Sequence, residues 1–511
     1  MSKLLIVLSL LVTVSAQASL FGINASGDDA YKHLEALAKI GEENSNTRSA
    51  GSPGHIMSAN YIAQQLLAAG YLVELVPFTF AKYFQIEEPE MSSTVDGVTT
   101  PHTFNEDFNI LTPSPGGNIT ATTMAIDLAL GEGNESTSGC EPEDFKDFEA
   151  GKIAVLQRGA CSFKTKADNA QNAGASGVVI FNQGNSESRK EPFNGSLGSA
   201  KTVEEQTLKI PVFSASYDKG VMFSENPNLE LTLNNNAENK TVTTYNVIAE
   251  TPGGRADNVV MMGSHLDSVD AGPGLNDNGS GSAGILEVAI KMMDVLDHEK
   301  NDYNKLRFAW WSAEEVGLIG SSRYVEALSD DEKTDIALYL NFDMIASPNY
   351  MIGVYDGDGS TFGDKGPEGS GAIERLFEMH FSFMGVGSVP TNLSGRSDYA
   401  PFAEVGIPFG GLFTGAEGIM TESEAKLFGG EAGKAYDECY HKFCDNLSNI
   451  NKEALQKNVE AIGFVTLNYA YSTDEVNGNK FSRSLSRLKP DDQIRFEATG
   501  SSHCDEVVDY L

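Results

Sequence analysis

The stretch Gly263–Gly281, GSHLDSVDAGPGLNDNGSG, decides the fold. It contains His265, one of only eight histidines in 511 residues, two residues before Asp267 and twelve before Asp277. The apolar run before it, NVVMM, has the character of a strand, and the run after it, AGILEVAIKMMDVL, has the apolar spacing of a helix. The stretch is therefore a loop from the end of a strand into a helix, which is where α/β sheets bind ligands.

Strands and helices alternate along the chain after this loop begins. The strand candidates are NVVMMGSH, LRFAWWSAEE, IALYLNFDM and GIPFGGLF. The helix candidates are SAGILEVAIKMMDVL, SSRYVEAL, GAIERLFEMHFSFMG and NKEALQKNVEAIGFVTLNYAY. Near the beginning of the chain, SANYIAQQLLAAG predicts a helix with Gly70 as its C-cap, and YLVELVPFTF predicts a strand. This alternation predicts an α/β fold with a mostly parallel mixed sheet flanked by helices.

The middle of the chain has a different pattern. Short strands are predicted at TATTMAIDLAL, GKIAVLQRG, ASGVVIFNQ and NLELTLNNN, with one helix at SFKTKADNAQNAG. The segment from about Ala81 to Asn118 is polar and has no helical period. The α/β pattern resumes near TYNVIAETPG, so the middle is predicted to be an inserted module. We expect an α/β domain at residues 19–85 and 242–475, the module at 86–241 and a tail at 476–511.

The first residues have the features of a signal peptide. Lys3 precedes the apolar run LLIVLSLLVTV, which is too short to span a bilayer, and VSA or AQA before residue 19 can serve as a cleavage site. We therefore expect residues 1–18 to direct the chain to the secretory route, with the mature protein secreted or in a vacuolar or lysosome-like lumen. No later run predicts membrane insertion.

The charge of the chain is strongly acidic. Its 36 basic and 72 acidic residues give a formal net charge of −36. Nucleic acid and anionic lipid both require a positive surface, so neither is expected as the main partner.

The five cysteines fit an oxidising compartment. Cys140 and Cys161 can pair, as can Cys439 and Cys444, and Cys504 is left over. Glycosylation sequons occur at Asn24, Asn118, Asn134, Asn194, Asn239, Asn278, Asn392 and Asn446. We interpret the sequon at Asn278 as chance, because a glycan there would block the loop that carries Asp277.

Chemically active side chains follow the predicted strands. The candidates are His265, Asp267, Asp277, Glu314, Glu315, Asp343 and, in the later loop YDECYHKFCDN, His441. A single carboxylate at a strand end is ordinary, but two imidazoles with several carboxylates form the set that two neighbouring divalent metal ions need. Zinc binds imidazole nitrogen and carboxylate oxygen, and two ions ~3.5–4 Å apart need a bridging carboxylate. Glycines around Asp277 permit the tight turn that would return it to His265.

Other catalytic motifs are absent from the sequence. The loop before the helix lacks the Gly-Lys-Ser/Thr ending of a phosphate-binding loop. Neither HExxH nor Gly-x-Ser-x-Gly occurs, which argues against a single-zinc protease helix and a serine nucleophile elbow.

These residues resemble the two-zinc aminopeptidases of peptidase family M28. The matching stretches, in the family's order, are RSAGSPG, GSHLDSV, GPGLNDNGSG, AEEVGLIGS, NFDMI, GRSDYAPF, GIPFGGLFTGAE and YHKFCD. The middle region from CEPEDF to VVIFN resembles a protease-associated (PA) domain. The layout is similar to that of aminopeptidase Y and of fungal and bacterial leucine aminopeptidases. The resemblance implies a zinc exopeptidase fold of the phosphorylase/hydrolase-like kind.

The resemblance also implies a metal site with two zinc ions (Zn2+). His265 and Asp343 would hold one ion, Glu315 and His441 the other, and Asp277 both.

Further roles follow from the same resemblance. Glu314 would be the general base, and Asp267 would orient the imidazole of His265. Tyr440 would donate a hydrogen bond to the oxyanion, and Arg396 would help to bind the N-terminal end of the substrate. A Cys439–Cys444 disulfide would pin the loop of Tyr440 and His441.

The implied function is a secreted zinc aminopeptidase that removes the N-terminal residue of a peptide with a metal-bridged hydroxide. Two alternatives stay open. A two-zinc peptidase similar to glutamate carboxypeptidase would need basic residues for the substrate carboxylate and a further helical domain, for which the C-terminal part is short. An inactive, receptor-like homologue would lose a ligand or the base, but all five ligands and Glu314 are present.

Overall fold

The computed structural model describes residues 23–198, 202–226, 228–297 and 302–478. They form two compact units. One contains the described residues up to Phe78 and from Thr243 onward, and the other spans Thr79–Val242. The predicted signal peptide, most of the predicted tail and Cys504 lie outside the described residues.

The helices and strands follow the predicted alternation. The helices are α1 (Gly27–Glu43), α2 (Pro53–Ala69), α3 (Phe163–Asn172), α4 (Tyr217–Glu225), α5 (Gly281–Val295), α6 (Ile319–Ala327), α7 (Asp330–Asp335), α8 (Ser370–Met384), α9 (Ala400–Glu404), α10 (Glu422–Phe428), α11 (Lys452–Tyr471) and α12 (Asp474–Asn477). The strands are β1 (Leu72–Gln85), β2 (Glu90–Val95), β3 (Val98–His102), β4 (Phe108–Thr112), β5 (Gly117–Ala125), β6 (Ile153–Gln157), β7 (Gly177–Phe181), β8 (Gly195–Ser196), β9 (Val212–Ala215), β10 (Glu230–Asn235), β11 (Ala237–Glu250), β12 (Arg255–His265), β13 (Asn304–Trp311), β14 (Ile336–Phe342), β15 (Gly353–Tyr355), β16 (Val389–Thr391) and β17 (Phe409–Phe413).

An eight-stranded sheet runs through the first unit in the order β1-β11-β13-β12-β14-β17-β15-β16. Strand β12 is parallel to both of its neighbours, β13 and β14, and β14 is parallel to β17. The pairs β11–β13 and β15–β17 are antiparallel. The predicted mostly parallel mixed sheet flanked by helices is therefore confirmed.

The core of the first unit packs helices against the central strands. Strand β14 is buried along its whole length, as its uninterrupted apolar sequence requires in a sheet that is covered on both faces. Leu34 and Leu37 of α1, Ile62 of α2, Leu286 of α5 and Val459 of α11 belong to one apolar cluster. Helix α1 is therefore an integral part of this core, although the sequence analysis placed no element there.

The second unit contains a nine-stranded sheet in the order β3-β2-β10-β5-β6-β7-β9-β4-β8. Its buried apolar residues form two clusters of their own, one containing Phe163 and Ile180 and the other Phe213 and Leu231. A disulfide joins Cys140 to Cys161. Strands β2, β3 and β4 lie in the polar segment where the sequence showed no element. Strand β3 shows why, because four of its five residues are exposed and carry no apolar alternation.

Among the described residues, no helix has the length and apolar character that a membrane crossing requires.

Candidate metal centre

Three neighbouring parallel strands deliver the candidate ligands to one edge of the sheet. His265 is the last residue of β12, Asp343 follows β14 directly, and Glu314 and Glu315 follow β13 after a short turn. Because β13, β12 and β14 lie side by side and run in the same direction, their carboxyl ends meet.

The backbone next to these ligands adopts left-handed conformations that non-glycine residues rarely take. Ala313, just before Glu314, has φ +60°, Met344, just after Asp343, has φ +52°, and His441 itself has φ +58°. Such conformations cost of order 1–3 kcal/mol each and persist at functional sites, where the surrounding structure holds them in place. Here they turn the ligand side chains toward a common centre.

Asp277 lies between two imidazoles, and each of its oxygens faces a different one. Its Oδ1 is 3.3 Å from Nε2 of His265, and its Oδ2 is 3.2 Å from Nε2 of His441. Its side chain is 6% exposed. The carboxylate therefore has the geometry of a bridge between two sites.

Each imidazole also meets a carboxylate of its own. Oδ1 of Asp343 is 3.3 Å from Nε2 of His265, and Oε2 of Glu315 is 3.0 Å from Nε2 of His441. Oε2 of Glu314 lies farther from His265, at 3.9 Å. The structure thus brings together all six residues that the sequence singled out as ligands or base, and it divides them into a His265 side and a His441 side.

Asp267 approaches His265 with both its main chain and its carboxylate. Nδ1 of His265 is 3.0 Å from the main-chain oxygen of Asp267 but 3.9 Å from its carboxylate Oδ1. That carboxylate oxygen accepts a hydrogen bond from the backbone N–H of Glu314. Asp267 therefore orients the imidazole through its main chain and holds the turn of Glu314 with its side chain.

The cluster has the properties of a cation site. Four carboxylates and two imidazoles converge through pairs of atoms no more than 3.9 Å apart. Oε1 of Glu315 and Oδ2 of Asp267 are buried without a hydrogen-bond partner among the described residues. Buried carboxylates without partners are costly, and a bound cation removes that cost. Imidazole nitrogen with carboxylate oxygen is a ligand set that zinc accepts, so the residues fit zinc.

Burial shifts the proton affinities in this cluster. Burial, together with Asp398 and Asp343, raises the pKa of Glu314 well above its ordinary value, although His265 opposes the shift. Burial disfavours the charged form of His265, but the carboxylates of Asp343 and Glu314 outweigh it and raise the pKa of that imidazole. Burial also raises the pKa of Asp267 to about 7. Glu314 therefore holds a proton more tightly than an exposed carboxylate does.

A cavity of about 250 Å³ opens over the cluster. Its lining includes Met344, Tyr355 and Phe413. Arg396 also lines it, and its guanidinium donates to Oε1 of Glu417 at 2.8 Å and to the hydroxyl of Tyr440 at 3.2 Å. The cavity therefore adjoins the candidate metal ligands, apolar side chains and a paired cation.

The loop with Tyr440 and His441 is fixed from both sides. A disulfide joins Cys439 to Cys444, and the rings of Tyr440 and His441 stack with centroids 3.8 Å apart. Asp445 follows the disulfide, and its carboxylate accepts the backbone N–H groups of Asn276 at 2.8 Å and Asp277 at 2.9 Å. One carboxylate thus holds the loop of Asp277 against the loop of His441.

Arg48 holds the other part of the Asp277 loop. Its side chain is fully buried and donates to the main-chain oxygens of Leu266, Pro273 and Gly274, the last at 2.5 Å. Burial lowers the pKa of Arg48 to about 10. RSAGSPG matched the family without a role for Arg48, and Asp445 was given none. The partners described above for both side chains are main-chain groups, and Asp445 also accepts from Nδ2 of Asn449 at 2.9 Å. Contacts of this kind leave no pattern in the sequence.

The predicted sequon at Asn278 is also explained by the structure. Asn278 is fully buried, and its amide donates to Ser264 Oγ and to the main-chain oxygen of Phe342, both at 2.9 Å. This side chain is a structural part of the Asp277 loop.

A parallel α/β sheet whose edge gathers imidazoles and carboxylates under a cavity defines a metal-dependent hydrolase. The sequence profile of peptidase family M28 matches residues 246–466, and that of the PA domain matches residues 124–222. The chain is 49% identical over 473 residues to a Pseudomonas aeruginosa protein named Aminopeptidase, which covers 91% of this chain and 86% of the relative. It is 38% identical over 452 residues to Leucine aminopeptidase 2 of Arthroderma otae, and this alignment covers 88% of this chain and 83% of the relative.

Solved structures show the same fold. The aminopeptidase from Aneurinibacillus sp. strain AM-1 aligns with a TM-score of 0.68 at 26% identity, over 87% of this chain and 94% of that one. A zinc aminopeptidase from Bacillus subtilis aligns with a TM-score of 0.59 at 24% identity, over 89% and 98%. The chain belongs to peptidase family M28 and carries a PA domain, so the predicted family is confirmed.

Proposed function

We propose that this protein is a secreted aminopeptidase that uses two zinc ions to remove the N-terminal residue of a peptide. The observation that carries the proposal is the position of Asp277, whose two oxygens face His265 and His441 at 3.3 and 3.2 Å. A carboxylate between two imidazole–carboxylate pairs is the arrangement that a pair of metal ions shares. The names of the relatives with 49% and 38% identity support the aminopeptidase activity.

The ligands divide between the two ions as the geometry divides the cluster. His265 and Asp343 would hold one ion, Glu315 and His441 the other, and Asp277 both. When bound, zinc ions of this kind lower the pKa of water toward neutrality and polarise a carbonyl oxygen.

The chain's own residues move the protons. Glu314 lies beside the His265 pair, 3.9 Å from Nε2, and does not share the short contacts of the ligands. It would take the proton of the attacking water and deliver it to the nitrogen of the leaving amine. The hydroxyl of Tyr440, positioned by its contact with Arg396, would donate a hydrogen bond to the oxyanion.

The cavity would select a substrate with a free N-terminus. The carboxylates at its floor favour a cationic amine, and its wall of Met344, Tyr355 and Phe413 favours an apolar side chain on the first residue. Arg396, with Glu417 beside it, would help to bind this end of the substrate. Secretion would follow from the predicted signal peptide at residues 1–18, and the two disulfides fit an oxidising compartment.

The test compares leucine-p-nitroanilide with its N-acetylated form. The wild type should cleave only the substrate with the free amine, lose activity with a chelator, regain it with zinc and contain two zinc ions per chain. Glu314→Gln should retain both ions and lose activity by at least about 10²-fold, the low end of the contribution of a general base.

Three results would contradict this function. Cleavage of the acetylated substrate would show that a free amine is not required. Cleavage of neither anilide, together with release of a C-terminal glutamate from a peptide, would favour the carboxypeptidase alternative. Two bound zinc ions without hydrolysis of any peptide would favour the inactive homologue.

A further inference from the structure

Four buried side chains beneath the metal centre form a continuous chain of hydrogen bonds that ends on Asp343. Nε1 of Trp311 donates to the hydroxyl of Tyr339 at 2.8 Å, and that hydroxyl donates to Oδ1 of Asn341 at 3.1 Å. Nδ2 of Asn341 donates to Oγ of Ser397 at 2.8 Å, and Oγ of Ser397 donates to Oδ2 of Asp343 at 2.6 Å. We name this set, Trp311, Tyr339, Asn341 and Ser397, the relay.

The direction of every bond in the relay is fixed by its first member. An indole N–H can only donate, so the Tyr339 hydroxyl accepts from Trp311 and turns its own hydrogen toward Asn341. The amide oxygen of Asn341 is then the acceptor, and its NH₂ group faces Ser397 and also the hydroxyl of Tyr355 at 3.2 Å. Ser397, having accepted, gives its hydrogen to Asp343.

Neighbouring strands of the sheet bring the members of the relay together. Tyr339, Asn341 and Asp343 alternate along the chain at β14, so they lie on the same face. Strand β12 lies between β13 and β14, and its Gly263 pairs with Ala309 and Asn341, each two residues along the strand from Trp311 and Tyr339. A Cβ atom at Gly263 would lie 2.1 Å from the Tyr339 hydroxyl and 2.6 Å from Nε1 of Trp311. Only glycine leaves room for the first bond.

Packing holds the members in place. Trp311 and Tyr339 are fully buried, Asn341 is 1% exposed and Ser397 is 6% exposed. The ring of Phe402 stacks on that of Tyr339 with centroids 3.9 Å apart and planes 3° apart. Ser397 and Phe402 both come from GRSDYAPF, so one segment supplies the donor to Asp343 and the support for Tyr339.

We propose that the relay positions Asp343 as a metal ligand. The hydrogen bond from Ser397 occupies Oδ2, which leaves Oδ1 to face the side of the site where His265 lies at 3.3 Å. Tyr339 is then a positioning residue that acts through Asn341 and Ser397. The inference rests on the proposed function in one respect, the role of Asp343 as a zinc ligand.

Tyr339→Phe separates this role from simple packing. The phenylalanine ring keeps the stack with Phe402 but leaves the amide oxygen of Asn341 without its donor. The amide can then turn and accept from Ser397, which withdraws the donor from Asp343. Loss of an outer hydrogen-bond partner of a metal ligand costs about 10–100-fold in metal affinity, and we expect Tyr339→Phe to weaken the binding of one zinc ion by that factor.

A matched control is available in the same unit. Tyr71 is buried, and its hydroxyl donates one hydrogen bond, to the main-chain oxygen of Ala289 at 2.7 Å. Tyr71→Phe therefore also removes one buried hydroxyl, but far from the relay along the chain. Ser397→Ala removes the direct donor to Asp343 and is the second test variant, used if Tyr339→Phe does not fold.

The experiment measures zinc affinity of the apoprotein by competition with a chromogenic chelator, alongside thermal unfolding and kcat at limiting and saturating zinc. Tyr339→Phe and Ser397→Ala should each weaken one zinc ion about 10–100-fold. Their kcat should recover at high zinc, and Tyr71→Phe should leave zinc affinity unchanged.

If Tyr339→Phe and Ser397→Ala bind zinc as tightly as the wild type and Tyr71→Phe do, the relay does not position Asp343. The proposed function would still stand. A wild type that binds no zinc would overturn both.

Discussion

At the scale of single residues, the candidate site depends on groups that do not line the cavity. Asp445 accepts the N–H groups of Asn276 and Asp277 with its two oxygens. Asparagine in its place has a single acceptor oxygen, so one N–H would be left facing an NH₂ group. Asp445→Asn should therefore displace Asp277 and weaken zinc binding about 10–100-fold, as measured by chelator competition.

Asp356→Asn is the matched control for this change. Asp356 is fully buried and accepts three backbone N–H groups, those of Ser360, Thr361 and Phe362. It should lose stability without losing zinc affinity. Comparable zinc affinity in both variants would mean that Asp445 has only a structural role.

The candidate ligands could be predicted from the sequence because each stands at a recognisable place. His265, Glu314 and Asp343 follow apolar strands, and polar residues that come directly after an apolar run can be recognised in the sequence. Arg48, Asp445 and Tyr339 leave none, because their partners are main-chain groups or distant side chains that only the folded chain brings near. Asp267 shows a second limit, since its main-chain oxygen rather than its carboxylate meets His265.

At the scale of elements, helix α1 is the clearest test of the core. Leu37 is fully buried in the cluster that also contains residues of α5 and α11. Leu37→Ala should lower the free energy of unfolding by about 2–5 kcal/mol, since it removes buried methyl groups and leaves a cavity. Denaturant unfolding followed by circular dichroism measures this change.

Lys39→Ala in the same helix is the control. The Lys39 side chain is 73% exposed, and a surface substitution of this kind changes stability by less than about 0.5 kcal/mol. If the two variants unfold alike, α1 does not belong to the cooperative core.

Elements that bury an apolar stripe or run could be predicted from the sequence. Helices α2, α5, α8 and α11 and strands β12, β13, β14 and β17 were predicted, because each has an apolar stripe or an apolar run. Strand β2 was not, since its two buried residues are Met91 and Ser93, and the serines and threonine around them give no apolar alternation. Helix α1 was not predicted, although Leu34, Leu37 and Ala38 are buried apolar residues. Its place in the core depends on contacts with helices that are distant in the sequence.

At the scale of the whole molecule, the chain passes from the first unit to the second along β1 and returns along β11. Strands β1 and β11 are neighbours in the sheet, and where they meet the module the N–H of Ile86 donates to the oxygen of Asn236 at 2.8 Å. The apolar clusters of the first unit draw no residue from Thr79–Val242, and the second unit has its own. Each unit therefore has apolar clusters of its own.

Replacing residues 87–235 by an Asn-Gly turn tests this independence. The shortened chain should fold, bind zinc as the full chain does and hydrolyse leucine-p-nitroanilide, because every proposed ligand lies outside the module. Its zinc content and activity are compared with those of a full chain that carries Asn-Gly inserted at the exposed β2–β3 turn beside Gly97. Loss of zinc in the shortened chain alone would show that the module is needed to form the metal centre.

The contact between α1 and α11 depends on the order in which the chain is synthesised. The N–H of Gly27 donates to Oε1 of Gln456 at 2.6 Å, so α1 cannot make this contact until α11 has been synthesised. The module, complete by Val242, can fold while β12 is still unmade, because domains fold as units during synthesis. The core of the first unit is complete only when α11 has been synthesised, and the contact between Asp277 and His441 requires the later of the two loops. The order of synthesis thus makes the candidate metal centre form after the module.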